Sequence, residues 1–150
     1  MTLDVSLVIP IKDEAPYISP LAREIEEAFF KAALAWECIW VDDGSRDGSL
    51  AALQDLTRPG GPHRWLSLSA SSGQSAALLA GMTASRGAVI ATLDGDGQND
   101  PSDLPPMVES VLAGRADMVN GYRARRRDSR LRQAASRLAN GARNSITGKT

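Results

Sequence analysis

Two aspartates and a glutamine follow a short, mostly apolar run in the second half of the chain. Residues 88–93 form the run, and Asp94, Asp96 and Gln98 come next at alternate positions with a glycine in each gap. An apolar run of this length predicts a buried strand. Carboxylate and amide oxygens are ligands that Mg²⁺ and Mn²⁺ accept, so the pattern predicts a metal site with these three ligands. The alternative is a plain turn, since Asp-Gly pairs favour turns.

A second acidic pair ends another apolar run. Asp42 and Asp43 follow Val41, and the chain continues with Gly44 and Ser45. Adjacent carboxylates repel, so the pair favours a bound ligand or cation that offsets the repulsion. We interpret one of the two as an acceptor of hydrogen bonds from a nucleotide base or ribose, with a helix-capping loop as the alternative. With a cation nearby, this chemistry suits an enzyme whose leaving group is a nucleoside diphosphate.

Three other ligand motifs fail on their spacing. An EF-hand calcium loop would need glycine and glutamate where Asn99 and Pro105 stand. The Gly-Lys-Thr at residues 148–150 lacks the earlier P-loop glycine, because that position is Arg143. The dinucleotide-binding pattern lacks its third glycine, because that position is Asp100.

The chain has one histidine and one cysteine, which leave no Ser-His-Asp or Cys-His arrangement for nucleophilic catalysis. His63 comes after a stretch rich in proline and glycine and is expected to be solvated. Cys38 lies in an apolar run and is expected to be a small core residue. A single cysteine excludes an internal disulfide and suits a reducing compartment.

The composition is that of a folded domain with a strong charge asymmetry. Hydrophobic residues make up 43% and charged residues 23% of the 150 residues, which excludes an intrinsically disordered chain. No apolar run approaches the roughly 20 residues of a membrane span, and no signal peptide is present, so we expect a cytoplasmic domain. Residues 123–150 hold 9 of the 17 Lys and Arg but one acidic residue. That basic segment predicts an anionic partner.

Strand-like apolar runs alternate with segments of helical spacing throughout. Strands are predicted at 5–9, 38–41, 65–68, 88–93 and 118–120, the first one stopped by Pro10. Helices are predicted at about 19–35, 47–56, 73–84 and 101–113, and from residue 128 onwards. The alternation predicts a single α/β domain over residues 1–150, a three-layer α/β/α fold with a mostly parallel sheet. Ligands bind such sheets outside the carboxyl ends of the strands, where the acidic pairs lie.

These motifs, in this order, resemble the family-two glycosyltransferases of the GT-A fold, and among them the dolichyl- and polyprenyl-phosphate sugar synthases such as mannose synthases. The matching segments are 8–14, 41–49, 73–81, 93–101 and 121–123, which together span nearly the whole chain. The resemblance implies an inverting, metal-dependent transferase. It would move a sugar from a nucleoside-diphosphate sugar (GDP-mannose or a UDP-sugar) to a polyprenyl or dolichyl phosphate, with Mg²⁺ or Mn²⁺ as cofactor.

The resemblance also implies roles for individual residues. Those implied to bind the nucleotide are Pro10, Lys12, Glu14, Asp42, Asp43, Asp94 and Gly95. Those implied to be catalytic are Asp96, Arg123 and Arg137, with the two arginines near the phosphates. Lys12 and Asp13 depart from the family pattern, which often has an aromatic residue and an asparagine at these positions.

Family domains continue past residue 147 into an acceptor-binding segment, so the resemblance implies a C-terminally truncated domain that binds donor but turns over poorly. The expected partners are the sugar donor, the lipid phosphate and an anionic membrane surface, at the cytoplasmic membrane face; nucleic acid is not expected. Two alternatives stay open. One is a family-two transferase with a sugar-hydroxyl acceptor, and the other is a non-catalytic module that binds nucleotide sugars or RNA.

Overall fold

The computed structural model describes residues 2–121, in which four strands alternate with four α-helices. Contacts group Met1–Asn120 into one compact unit. The predicted tail helix lies outside the described residues, and a single domain over 1–150 stays a prediction. The elements are β1 Leu3–Ile11, α1 Ala15–Ala32, β2 Trp36–Asp42, α2 Ser49–Leu56, β3 His63–Ser67, α3 Gln74–Thr83, β4 Gly87–Thr92, a 3₁₀ turn Pro101–Asp103 and α4 Leu104–Leu112.

The four strands form one parallel sheet in the order β3-β2-β1-β4. All strands point the same way, so the loops after them emerge from one edge of the sheet. In the register of the central pair, Ile11 of β1 lies opposite Asp42 of β2. The loop after β1 therefore starts beside the first acidic pair.

Helices cover both faces, as the three-layer prediction requires. Alternate β1 residues, such as Leu7 and Ile9, face a core that includes Phe29 of α1, Leu53 of α2 and Val108 of α4. Val8, Ile39 and Val41 face the other way and pack against Ala77 of α3. Burying side chains of this kind contributes about 1.5–3 kcal/mol each, and this burial holds the helices on the sheet.

Pro10 does not stop β1, which continues to Ile11. Val8 and Pro10 are two residues apart, so their backbone N–H and C=O positions face the same neighbouring strand. The carbonyl of Val8 accepts a hydrogen bond from the backbone N–H of Leu93, on the β4 side. The missing N–H of Pro10 would therefore point towards β4, whose pairing with β1 ends at Thr92. No ladder bond is lost, which is why proline is tolerated here.

Helix α1 begins at Ala15, four residues before the predicted start at 19. Pro16 lies in its first turn, where a missing N–H is free of cost, and Pro20 lies inside the helix. The prediction of a strand at 118–120 is wrong, since that segment has no strand structure. Two apolar residues followed by Asn120 were too short a signal, and Met118 is 73% exposed.

His63 is buried, so the expectation of a solvated histidine is wrong. The indole N–H of Trp40 donates to His63 Nδ1 at 3.2 Å, which places the ring proton on Nε2. That nitrogen then donates to Glu26 Oε1 at 3.1 Å. Burial lowers the pKa of His63, and the hydrogen bond and charge of Glu26 offset part of that shift. The chain's one histidine is therefore a neutral structural residue, bonded to Trp40 and Glu26 and not to either acidic pair.

Glu37 is a buried carboxylate that joins three segments of the sheet. Its oxygens accept from Ser6 Oγ at 2.7 Å, from Arg64 Nε at 3.0 Å and from the backbone and guanidinium of Arg86 at 2.6–3.0 Å. Burial alone would raise the pKa of Glu37, but the hydrogen bonds from Arg86 and Ser6 and the charge of Arg64 lower it to about 2. The folded state therefore favours the ionised form.

We predict that Glu37 makes the fold acid-sensitive. Because the folded pKa lies below the usual 4.5, its contribution is complete above pH 4.5 and is lost as the pH falls towards 2. Glu37→Gln should lower the free energy of unfolding at pH 7 by on the order of 3 kcal/mol and flatten its dependence on pH in that window. Urea unfolding followed by tryptophan fluorescence measures both.

The matched control is Glu27→Gln, because Glu27 pairs with Lys31 on an exposed helix face. Lys31 also lowers the pKa of Glu27, but solvent screens this exposed pair, so the change should retain most of the pH dependence. A Glu37→Gln variant with the same acid sensitivity as the original protein would contradict the assignment.

Candidate functional site

The loops after β1 and β2 are joined by hydrogen bonds. Lys12 Nζ donates to the carbonyls of Asp43 and Gly44 at 2.8 and 2.7 Å. The backbone N–H of Asp13 donates to Ser45 Oγ at 3.0 Å. Asp13 has φ of +54°, a left-handed conformation that Asp and Asn tolerate better than other non-glycine residues. The two loops therefore form one rigid wall.

The start of α1 rests on the same wall. The backbone N–H of Glu14 donates to Ser49 Oγ at 2.9 Å, and that of Ala15 donates to Asp47 Oδ2 at 3.1 Å. The other oxygen of Asp47 accepts from the Ser49 backbone at 2.8 Å. The side chains of Asp47, in the β2–α2 loop, and Ser49, at the start of α2, thus satisfy free backbone donors at two helix starts. They also fix the backbone position of Glu14, and with it the starting point of its side chain.

Asp43 ties a third loop to this wall. Its Oδ1 accepts from the Ser72 backbone at 2.6 Å, and its Oδ2 accepts from Ser71 Oγ and the Gly73 backbone, each at 3.0 Å. These bonds, led by the one from Ser72, and the charge of Lys12 lower the pKa of Asp43 against the opposing effect of burial. An ionised Asp43 thus holds the residues that precede α3.

Asp42 has a different environment from its neighbour. It is buried, and its two oxygens accept from the Ser45 backbone at 3.0 Å and from Ser67 Oγ at 3.2 Å. Asp43 lines the cavity described below, whereas Asp42 does not. Of the two aspartates, Asp43 is the one placed to meet a ligand.

Asp94 and Asp96 come after β4 at the same edge of the sheet. Gln74 Nε2 donates to Asp94 Oδ1 at 3.0 Å, and the backbone N–H of Gln98 donates to Asp96 Oδ1 at 3.0 Å. Both carboxylates are half-buried and face one cavity. Gln98 is exposed and lines a neighbouring cavity beside α1 instead, so the structure brings together two of the three predicted metal ligands.

Gly95 lies between the two aspartates at a point where a side chain would displace its neighbours. A Cβ at this position would collide with Ile11 Cδ1 and Glu14 Oε2. Within the described residues, Glu14 Oε2 is the one buried side-chain oxygen or nitrogen without a hydrogen-bond partner. Burial, followed by the charges of Asp96 and Asp94, raises the pKa of Glu14 against a lowering hydrogen bond with the Lys12 backbone. A buried, unpartnered carboxyl oxygen at this point indicates a group suited to contact a ligand.

These loops enclose a cavity of about 500 Å³, a size typical of small-ligand sites. Lys12 is its only basic lining residue among residues 2–121, against four carboxylates. Six of the seven predicted nucleotide-binding residues line it, the exception being Asp42. The lining residues are Pro10, Ile11, Lys12, Glu14, Asp43, Gly73, Gln74, Asp94, Gly95 and Asp96.

The carboxylates of the cavity fit a cation that is ligated partly by the protein and partly by a phosphate group of the ligand. Within residues 2–121, no group of three or more His, Cys, Asp or Glu side chains is arranged to hold a metal ion. Asp94 and Asp96 supply two hard oxygen ligands at one cavity. Mg²⁺ is commonly held by one or two carboxylates together with substrate phosphates rather than by a complete protein cage.

Two predicted catalytic residues, Arg123 and Arg137, lie outside the described residues, and their roles stay predictions. Sequence reasoning missed Ile11, Gly73 and Gln74 as lining residues. One signal was available for Gly73 and Gln74. They lie at the start of the helix that follows β3, and the loop between a strand and its next helix lies at the ligand-binding edge of a parallel sheet.

The chain belongs to glycosyl transferase family 2, whose family model matches residues 6–149. It is 40% identical to a dodecaprenyl-phosphate galacturonate synthase of Rhizobium johnstonii, over 98% of this chain and 44% of that protein. It is 42% identical to an undecaprenyl-phosphate 4-deoxy-4-formamido-L-arabinose transferase of Pseudomonas aeruginosa, over 96% of this chain and 42% of that protein. The chain thus spans less than half the length of these relatives.

Solved structures confirm the GT-A fold. The described sheet and helices match S. aureus TarS with a TM-score of 0.66 and 18% identity, over 83% of this chain and 39% of that one. They match the mannosyltransferase PcManGT of Pyrobaculum calidifontis, solved with GDP-Man and Mn²⁺, with a TM-score of 0.63 and 23% identity, over 74% and 33%. At these identities the likeness establishes the fold alone.

We predict that Gly95→Ala damages the site more than the fold. The new methyl group must displace Ile11 and Glu14, at a cost of about 1–3 kcal/mol in the free energy of unfolding. The displaced Glu14 would enter the cavity and reduce nucleotide affinity. Thermal unfolding and calorimetric titration with UDP measure the two effects.

Gly48→Ala is the matched control, because its Cβ would meet only Ala15 Cβ at an ordinary 3.7 Å. It should bind nucleotide as the original protein does. If Gly95→Ala also bound nucleotide normally, the packing around Glu14 would have no role in the site.

Proposed function

We propose that the cavity binds a nucleoside-diphosphate sugar and that the whole protein transfers this sugar to a polyprenyl phosphate with inversion. One observation carries the proposal: Asp94 and Asp96 face the same cavity as Asp43 and the unpartnered Glu14. The nucleoside end would lie against the joined loops after β1 and β2. The diphosphate end would lie against the two aspartates after β4. Family membership and the names of the relatives support both the reaction class and the acceptor.

Mg²⁺ or Mn²⁺ would be held by Asp94 and Asp96 together with the diphosphate. When bound, such a cation neutralises the charge that develops on the departing diphosphate. Without it, the carboxylates of the cavity would repel the donor, because Lys12 already uses two of its three donors on backbone carbonyls. The protein's own contribution is to hold Asp94 and Asp96 at one edge of the cavity.

The acceptor chemistry needs little help from a general base. A phosphate monoester has a second pKa near about 6 and is already anionic at neutral pH. This fits a chain whose one histidine is buried and bonded to Trp40 and Glu26. Arg123 would stabilise the leaving diphosphate, and Arg137 would hold the acceptor phosphate, since the planar guanidinium matches phosphate oxygens.

The hydrogen bonds of Asp43 favour a uracil base over guanine. A carboxylate has about four lone-pair sites, and the Asp43 carboxylate uses three of them on the loop before α3. One site on Oδ1 remains, which matches the single N–H of uracil. Guanine presents neighbouring N1–H and N2–H groups, of which the remaining site could accept only one. We therefore propose a UDP-sugar donor.

A lipid-linked acceptor places the reaction at a membrane. Among residues 2–121, no helix combines the length and the hydrophobicity needed to span a bilayer. Nine basic residues lie between residues 123 and 150, and such clusters are attracted to anionic lipid head groups. We propose that this domain works at the cytoplasmic membrane face.

We predict that Asp96→Asn sharply reduces the metal-dependent part of donor binding. The amide keeps the size of the side chain and one oxygen ligand but removes the charge that attracts the cation. Titration calorimetry with UDP, with Mn²⁺ and with EDTA, should show a Mn²⁺-dependent gain of affinity that is much smaller in the variant. Asp55→Asn, an exposed change on α2, is the control and should retain the full gain. The same gain in Asp96→Asn would refute the metal role.

The base preference gives an independent prediction. In Mn²⁺, UDP should bind about ten-fold more tightly than GDP, since one of the two guanine donors would gain no hydrogen bond from Asp43. Parallel titrations of the two diphosphates under identical conditions measure this ratio. GDP binding as tight as UDP binding would contradict the lone-pair argument and leave the donor class open to guanosine sugars.

A further inference from the structure

Gln74 is the first residue of α3 and contacts Asp94, twenty positions later in the chain. We propose that Gln74 is a positioning residue that fixes the Asp94 carboxylate for cation binding. The inference rests on the proposed function, because it assigns a role within the same metal site. The juxtaposition that carries it is the 3.0 Å hydrogen bond from Gln74 Nε2 to Asp94 Oδ1 at the wall of the cavity.

The chemistry of an amide suits this task. A single hydrogen bond to Oδ1 restricts the carboxylate rotation and leaves Oδ2 available to a cation. The uncharged amide does not neutralise Asp94, as a lysine at this position would. A glutamate at this position would instead repel Asp94, because two carboxylates at that distance disfavour their joint ionisation.

The helix start that carries Gln74 is itself held in place. The preceding residues Ser72 and Gly73 donate their backbone N–H groups to Asp43. Farther along α3, a Cβ on Gly81 would collide with Val8 of β1, so the helix lies tightly against the sheet. Gln74 therefore projects from a fixed point, and its amide can set the position of Asp94.

The Gln74 side chain is exposed and makes one hydrogen bond within residues 2–121, the bond to Asp94. An exposed residue in a first helical turn contributes little to folding when replaced by alanine or methionine, which are good helix formers. Loss of this side chain should thus change cation-dependent binding and leave stability intact.

The test compares Gln74→Ala and Gln74→Met with the unmodified chain, using UDP as the probe. Methionine matches the length of glutamine but cannot donate. Each protein is titrated with UDP in excess Mn²⁺ and again in EDTA, and its melting temperature is recorded. Gln54→Ala is the matched control, since Gln54 is an exposed glutamine on α2 away from the cavity.

Both Gln74 variants should bind UDP about three- to ten-fold more weakly in Mn²⁺, the net size of a typical hydrogen bond, with unchanged affinity in EDTA and an unchanged melting temperature. Gln54→Ala should match the unmodified chain throughout. Equal losses in Mn²⁺ and EDTA would overturn the inference, because Gln74 would then contact the nucleotide itself.

The inference and the proposed function fail in different ways. If the unmodified chain gains affinity with Mn²⁺ and both Gln74 variants gain equally, the positioning role is refuted while the metal site stands. If the unmodified chain gains nothing with Mn²⁺, the proposed metal site is refuted and the role of Gln74 with it.

Discussion

The carboxylate and backbone of Asp43 are the point at which the loops of this site are joined. Where parallel strands end, their loops lose the regular hydrogen bonds of the sheet and need other partners. Lys12 binds the Asp43 carbonyl from the loop after β1, and the Asp43 carboxylate binds Ser72 and Gly73 before α3. Three loops that are distant in sequence thereby become one surface. Without this junction, the helix start that carries Gln74 would lose its connection to the other two loops.

The electrostatics of the cavity depend on that rigid frame. Glu14, Asp94 and Asp96 are held near one another, and burial together with the two aspartate charges raises the pKa of Glu14. Gly95 lets Glu14 pack beneath the aspartates, because any side chain there would displace it. A site that accumulates unneutralised carboxylates in this way costs folding free energy. A cation that arrives with the diphosphate would offset this cost, so the site is arranged for a partner that brings positive charge.

Much of this arrangement could be predicted from the sequence, because it depends on the strands and on the residues directly after each strand. Apolar runs located β2 and β4 to within a few residues, and the acidic pairs after them marked the edge of the sheet at which the cavity lies. The contacts that decide each role could not be predicted. Nothing in the sequence indicates that Gln74 reaches Asp94, or that Asp42 turns inward while Asp43 faces the cavity. The burial of His63 could not be predicted either, because it follows a proline- and glycine-rich loop in the sequence. In the structure it is the first residue of β3, and two tryptophans pack against its ring.

The central claim is that Asp94 and Asp96 share a cation with a nucleoside diphosphate in this cavity. A crystal structure of the chain with UDP and Mn²⁺, with anomalous data at the manganese edge, locates the ion directly. The account predicts one strong anomalous peak bonded to a carboxylate oxygen of each aspartate and to the diphosphate. Bound UDP with no manganese between these carboxylates, or manganese at another place, would contradict it.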